Sequence, residues 1–390
     1  MSARLLLIGD IHLRAGEQLD DVADCLTFAG EVARERQADA VLFAGDVFEG
    51  RTSPAERLAF AAGLAGFQVP VVISKGNHDQ AGDLMVFDGY PDVRVFEAPG
   101  IVRIESAFVR SRGSAVDILC VPWPERAYLA ALGHTGEAGD QAGSAALAAM
   151  LRGMVADRKP GIPFIILGHL SVLGAITSSA QPLVGKGIEA VLGDLQDLGA
   201  AFVALGHVHK PQELAPGIEY IGSITVHDFG EETEAKRIGI LDVEDDGTAS
   251  VEWVPVPCRR WVTIEASVHE LVAAGGGMPA ACSVIESVGR EDGIGFSGDD
   301  LAGYNVRYRY SCTEDEVHLF DHDAIRRRFA SAHTLKIVPE IERTQRVRAA
   351  EVAAARTVEE KLCAWGAATG VEITAAHIEK LHQLESEAAR

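Results

Sequence analysis

Residues 5–12 read LLLIGDIH: an apolar run of strand length that ends on a glycine and then presents a carboxylate, Asp10, and an imidazole, His12. Four further segments follow the same plan: AVLFAGDVF over residues 40–48, PVVISKGNHD over 70–79, FIILGH over 164–169 and FVALGHVH over 202–209. Short unbroken apolar runs bounded by turn residues are the pattern of strands buried on both faces. Helix-like stretches at residues 19–36 and 54–67 separate the first of them, the second with Ser53 as N-cap ahead of Pro54. The alternation predicts an α/β fold whose polar residues gather beyond the carboxyl ends of the strands, where open sheets place their sites.

Those residues are Asp10, His12, Asp46, Asn77, His78, Asp79, His169, His207 and His209. A carboxylate able to bridge, an amide oxygen and several imidazoles, with no thiolate, suit two hard-to-borderline divalent cations. Asp10 and His12 are two apart, so an extended chain sends both side chains to one side, where they grip one ion. His207 and His209 repeat the spacing, and a bend there sends them to different ions. Asn77 is a neutral oxygen ligand, His78 stands close to the ions, and Asp79 is placed to orient its imidazole. Gly9 and Gly45 leave room for tight backbone at the metal edge. A lone GD or GH carries little meaning; the ordered set carries the reading.

The chain has 390 residues, enough for two or three units with their own cores. Its apolar runs are far too short to cross a bilayer. A cleavable signal peptide would destroy the first motif, so the expected location is cytoplasmic. Six scattered cysteines without a CxxC pair read as reduced packing residues. A formal charge of −22 argues against a free-standing nucleic-acid coat protein. It does not exclude a nuclease, because bound cations reverse the local field.

GDxH, GDxF, GNHD, GH and GHxH in this order resemble the calcineurin-like metallophosphoesterases over roughly residues 1–255. GHVHKPQ at residues 206–212, YIGS at 220–223, DFGEE at 228–232 and VPWP at 121–124 are similar to the SbcD family, the nuclease subunits of SbcCD double-strand-break repair complexes. The resemblance implies the metallophosphoesterase sandwich and two-metal phosphodiester hydrolysis with Mn²⁺. It implies one ion on Asp10, His12 and His209, a second on Asn77, His169 and His207, and Asp46 between them. His78 would protonate the leaving oxygen or contact the phosphate. Where relatives carry Asp or His three residues after the bridging aspartate, this chain has Glu49, a departure that bears on substrate positioning.

Residues 256–338 read as a small α+β cap. WVTIEAS and NVRYRY look like strands, residues 323–330 like a short helix, and the Gly275–277 stretch and GREDGIGFSGDD like loops. Arg259, Arg260, Arg307, Arg309, Arg326, Arg327 and Arg328 suggest a face for DNA phosphates. Asp299, Asp300, Glu314, Asp315 and Glu316 dilute that charge, which leaves a solvated surface as the alternative. Residues 339–390 read as a helical tail. Val347, Ala354, Val358, Leu362 and Trp365 fall at near-helical spacing, and a break at Gly366–Gly370 leads to a second helix capped by Thr374, with Ile373 and Ile378 as a staple and an apolar stripe at Ile378, Leu381 and Leu384. Either these helices pack on their own domain or, as the resemblance implies, they bind a coiled-coil SbcC-like ATPase, with a homodimer of this chain inside a heterotetramer. His227 is expected to be structural. Two alternatives stand beside the nuclease: a phosphoesterase for nucleotides or phosphoproteins, and a catalytically weak structural subunit of an ATPase complex.

Overall fold

A computed structural model of the chain describes residues 2–16, 18–105, 114–125, 136–178, 181, 188–267, 301–342 and 350–388. Two six-stranded sheets form the larger unit. The first joins β1 (Ser2–Ile8), β2 (Ala40–Phe43), β3 (Val71–Ser74), β4 (Val93–Phe96), β13 (Arg237–Glu244) and β14 (Ala249–Pro255) in the order β14-β13-β1-β2-β3-β4. The second joins β5 (Gly100–Glu105), β6 (Ala115–Val121), β7 (Phe164–His169), β10 (Phe202–Gly206), β11 (Gln212–Ala215) and β12 (Ile218–Tyr220) in the order β11-β12-β10-β7-β6-β5. Two short strands, β8 (Ser171–Val172) and β9 (Glu189–Ala190), pair in parallel between β7 and β10 in the sequence. Strands β1 to β4 run parallel, as do β6, β7, β10 and β12, while β13, β14, β5 and β11 close the sheets with antiparallel pairings.

Burial explains why the strands lack a polar face. Leu5 and Leu7 of β1 join Leu42 of β2, Val72 of β3, Ile165 and Leu167 of β7 and Ala204 of β10 in one cluster between the sheets. Leu6 and Ile8 point the other way, into a cluster with Val41 and Phe43 and with Leu26, Phe60 and Phe67 of the helices α1 (Leu19–Glu35) and α2 (Pro54–Phe67). Phe164, Ile166, Val203 and Leu205 pack likewise on Leu147 and Leu151 of α3 (Gly136–Asp157) and on Leu195 of the short α4 (Leu192–Gln196). Both sheet faces are therefore covered, which is why the runs are continuous rather than alternating. The resulting layers are helix, sheet, sheet, helix, the sandwich that the resemblance implied. At α2 the Ser53 cap is realised as a capping box with Glu56.

The described chain divides into two compact units. One comprises residues up to Ile264 with the described parts of 296–308 and 328–336; the other comprises the described parts of 265–295, 309–327 and 337–390. Strands β15 (Trp261–Ser267), β16 (Asn305–Thr313) and β17 (Thr334–Glu342) form a three-stranded sheet in the order β15-β16-β17. The loops expected at 275–277 and 289–300, Val347 and Cys282 lie outside the described residues. The expected helix near residue 323 is α5 (His322–Arg328). In the tail, α6 (Val358–Thr369) opens on a capping box of Thr357 and Glu360 and stops at Gly370, whose φ is +74°. The next helix, α7 (Ala375–Ala388), begins beside Thr374, whose backbone N–H donates to His377 Nδ1 at 3.1 Å. Gly366 sits against Ile373, so a side chain there would overlap it. No described helix is long and apolar enough to cross a membrane. The five cysteines within the described residues are free thiols.

Candidate metal centre

The motif strands come from both sheets, β1, β2 and β3 from one and β7 and β10 from the other, and their carboxyl ends meet. Close approach makes this feasible: a side chain at Gly9 would overlap the Gly222 carbonyl, and one at Gly45, whose φ is +100°, would overlap His169. The backbone beyond the strands is not extended. His12, Asp46 and His207 have φ values of +49°, +47° and +97°, a conformation that costs about 1–2 kcal/mol per residue with a side chain. Hydrogen bonds hold it: the Asp46 carbonyl accepts from Ile11 N at 3.0 Å and His12 N at 2.9 Å. Thus Asp10 and His12 converge through a turn, not through the shared face of an extended strand.

Asp10, His12 and His209 place ligand atoms within 4.8 Å of one another, as do Asp10, Asp46 and His169. His12 Nε2 and His209 Nε2 are 2.9 Å apart. Asn77 Oδ1 lies 2.9 Å from His169 Nε2 and 2.9 Å from His207 Nδ1. Between the two groups, Asp46 Oδ2 is 3.3 Å from His169 Nε2 and 3.6 Å from His12 Nε2. The bend at His207 separates the GHVH imidazoles, sending His207 toward Asn77 and His209 toward His12.

These spacings fit metal ions. Neighbouring ligands on an octahedral ion with bonds of about 2.1 Å stand about 3 Å apart. The ring tautomers point the same way. The Ala44 carbonyl only accepts, so His169 Nδ1 donates to it at 2.7 Å, which leaves Nε2 to face Asn77 Oδ1 and to take an ion once its own proton is displaced. His12 Nδ1 likewise donates to Glu49 Oε2 at 2.5 Å and His209 Nδ1 to Glu231 Oε1 at 2.6 Å, so that in the neutral rings the two Nε2 lone pairs stand face to face. Lone pairs brought together in this way repel unless a cation accepts them. The donor set therefore fits two oxygen- and nitrogen-liganded divalent ions.

Charge in the centre is strongly coupled. Burial would raise the Asp46 carboxyl, yet His169 and His12 hold it well below the usual carboxylate range. Burial would lower His169, but Asp46 and Asp10 push it up to about 9. His207, buried and beside the positive His169, is pushed down to about 4, which keeps its lone pair available.

Sequence reasoning gave Asp79 the part of orienting His78. The structure corrects this: Asp79 is buried and accepts from Phe48 N and Gly76 N, both at 2.9 Å, so it braces the loop under Asp46. Burial and the nearby Asp46 charge push its carboxyl up to about 6. The group beside the His78 ring is Glu49, whose Oε1 is 3.2 Å from Nδ1 while its other oxygen holds His12. His78 donates its backbone N–H to Asp46 Oδ1 at 2.8 Å and leaves its ring half exposed. Two further residues were not assigned from sequence, and a third, His227, was expected to be structural. Trp123 of VPWP lies tilted against the His207 ring with 4.6 Å between centroids, Glu231 of DFGEE holds His209, and His227 packs 5.1 Å from both His12 and His209 with a buried Nε2 that has no protein partner. VPWP and DFGEE were visible as marks of resemblance, but nothing in their spacing reveals these contacts.

The arginines offered for DNA are largely engaged. Arg259 pairs with Asp21 at 2.6 Å, Arg307 donates to Thr263 Oγ1 at 2.7 Å, Arg309 pairs with Glu265 and Glu340 at 3.4 Å, Arg326 with Asp323 at 2.8 Å and Arg327 with Asp321 at 3.6 Å.

With this geometry the comparisons have a physical basis. The calcineurin-like phosphoesterase profile matches residues 3–211, more than half of the chain. This chain belongs to that family. It is similar to the SbcD nuclease subunit of Rhodobacter capsulatus, 31% identical over 258 residues that cover 58% of this chain and 62% of that protein. The SbcD subunit from Bacillus subtilis is 25% identical over 66% of this chain and 72% of its own length. The one from Escherichia coli K12 is 26% identical over 59% and 61%. The chain thus spans a little under two thirds of the Rhodobacter and Escherichia relatives.

Proposed function

We propose that this chain is the nuclease subunit of an SbcCD-type DNA-break-repair complex in the cytoplasm, hydrolysing DNA phosphodiester bonds at a centre of two divalent ions, with Mn²⁺ the expected metal. The observation that carries this reading is Asp46 Oδ2, set between His12 Nε2 and His169 Nε2 at 3.6 and 3.3 Å. Asp10, His12 and His209 would hold one ion, Asn77, His169 and His207 the other, and Asp46 both. When bound, such ions supply a nucleophile at neutral pH and stabilise charge on the phosphate oxygens.

The chain's own residues do the rest. Glu49 fixes both His12 and His78, so the imidazole next to the phosphate moves with the ligand shell. His78 Nδ1 faces Glu49, so the ring as an imidazolium would donate its Nε2 proton to the departing sugar oxygen and end as the neutral Nδ1–H tautomer held by Glu49. Trp123 lies against the His207 ring and limits its rotation.

The tail supports the partner half of the reading. Val358 and Trp365 of α6 and Leu384 of α7 are exposed, and docking on a coiled-coil ATPase would remove that apolar area from water at about 25 cal/mol per Å². The domain plan proposed is a phosphoesterase domain over 1–255, a cap over 256–338 and a partner-binding tail over 339–390. The deciding assay gives the purified chain single- and double-stranded DNA and a small phosphodiester with Mn²⁺, with and without the ATPase. Cleavage of DNA supports the reading; turnover of nucleotides or phosphoproteins alone overturns it. A chain cut after Glu342, which preserves β17, should keep small-substrate hydrolysis and lose the ATPase. Retained binding with unchanged affinity would place the partner surface elsewhere.

A further inference from the structure

Between β12 and β13 lies a buried charge cluster outside the ion ligands. Lys236 Nζ is 2.9 Å from Glu231 Oε2 and 2.8 Å from Glu234 Oε2, and it donates to Ser223 Oγ at 2.8 Å and to the His209 carbonyl at 3.3 Å. Glu231 is only 3% exposed and Lys236 only 2%. Burying such groups costs several kcal/mol per ion before their attraction is counted, and apolar residues would fill the space more cheaply. The cluster therefore calls for a use beyond packing.

Its contacts supply one. Glu231 Oε1 accepts the His209 Nδ1–H at 2.6 Å, while its other oxygen takes the Lys236 ammonium and the His227 N–H at 3.1 Å. The carboxylate cannot rotate away without breaking those bonds. The backbone of His209 is fixed as well, since Ser223 N donates to its carbonyl at 3.1 Å beside Lys236. We propose that Glu231, braced by Lys236, is a positioning residue for His209: it holds the proton on Nδ1, turns Nε2 toward His12 and strengthens the ring as a ligand of one ion only. This rests on reading His209 as an ion ligand. Carboxylates that receive the second N–H of a ligating histidine contribute about 10–100-fold in metal affinity.

Glu234 makes the test selective, because it touches the same Lys236 without touching His209. Calorimetric titration of the full metal-free chain with Mn²⁺ compares wild type, Glu231→Gln, Glu234→Gln and His209→Ala. The expected result is loss of one binding event in His209→Ala, a roughly 10–100-fold weakening of that same event in Glu231→Gln, and near wild-type binding in Glu234→Gln. Equal losses in both glutamine variants would show a mere loop clamp and overturn the proposal, as would wild-type affinity in Glu231→Gln. Unchanged binding in His209→Ala would instead bring down the ligand assignment beneath it. A second measurement needs no Glu231 variant: histidine ¹⁵N NMR of the Zn²⁺-loaded wild type, with His209 assigned by its absence in His209→Ala. A protonated Nδ1 and a metal-bound Nε2 support the proposal, and the opposite tautomer overturns it.

Discussion

The half of the centre built on His12 and His209 and the half built on Asn77, His169 and His207 have similar ligand counts but different surroundings. In the first, each imidazole gives its Nδ1–H to a carboxylate, Glu49 or Glu231. In the second, His169 gives its own to the neutral Ala44 carbonyl, and His207 turns its Nδ1 toward Asn77 while its ring lies against Trp123. Either acceptor fixes the tautomer and raises ligand basicity, but a carboxylate also sets a full negative charge beside the ring. The comparison teaches that the ligand motifs do not make the two halves equal. Their difference sits in Glu49, Glu231, Ala44 and Trp123, outside the seven proposed ligands.

Asp46 is the residue the halves share, so its loss should have the largest effect. Asp46→Ala should reduce hydrolysis of a small phosphodiester with Mn²⁺ to background, beyond the roughly 100-fold that an outer residue commands. Metal-dependent turnover surviving in that variant would dissolve the comparison, since no shared ligand would then exist. His78→Gln comes next. It should lower kcat by about 10²–10⁴-fold, the usual reach of a general acid, with both Mn²⁺ binding events near normal. Asn77→Ala, one residue away, should weaken only the second half. Equal metal loss in the two variants would erase that boundary.

The parts of this arrangement differ in how far the sequence discloses them. LLLI, AVLF and FIIL are readable as strands because both their faces are buried, and Asp10, Asp46 and His169 are readable because chain ends of such strands are where ligands collect. The division of β1, β2 and β3 from β7 and β10 into two sheets is not local information; only the family resemblance supplied it. Backbone strain was hidden too. The expectation that Asp10 and His12 share an extended face fails because His12 sits at a φ of +49°, held by the Asp46 carbonyl from the loop after β2. Outer partners are the least legible. Glu231 reaches His209 from 22 positions further along the chain, and adjacency made Asp79 look like the partner of His78 when Glu49 fills that place.

Proton linkage offers a sharper test of the second half. His169 is pushed up to about 9 in the metal-free centre: burial alone would lower it, and the Asp46 and Asp10 carboxylates more than reverse this. An ion arriving at Nε2 must displace that proton. Below about 9 the affinity of this half should therefore fall as pH falls, by about tenfold per unit for one displaced proton. His207, pushed down to about 4, contributes no such proton near neutrality. Calorimetry in buffers of different ionisation enthalpy would count the release, and none at about pH 7.5 would contradict the charge assigned to His169. For the metal-free fold the sign is opposite. A histidine raised above 6.5 stabilises fully below that pH, and its contribution is lost as pH climbs toward 9.

The smallest effect is expected at Glu49, and it tests whether the two carboxylates of the first half are equivalent. Both receive an Nδ1–H at nearly the same distance, 2.5 Å at Glu49 and 2.6 Å at Glu231. Their settings differ: the Glu49 side chain is 36% exposed and that of Glu231 only 4%. Water screens an exposed charge and offers the imidazole a substitute acceptor, so the low end of the outer-residue range applies. Glu49→Gln should weaken the first ion by about tenfold, less than Glu231→Gln, with a further drop in kcat because His78 loses its anchor as well. Parallel Mn²⁺ titrations and kcat measurements on the two variants decide it. If Glu49→Gln costs more metal affinity than Glu231→Gln, then proximity to the phosphate rather than burial governs how strongly a carboxylate backs its histidine.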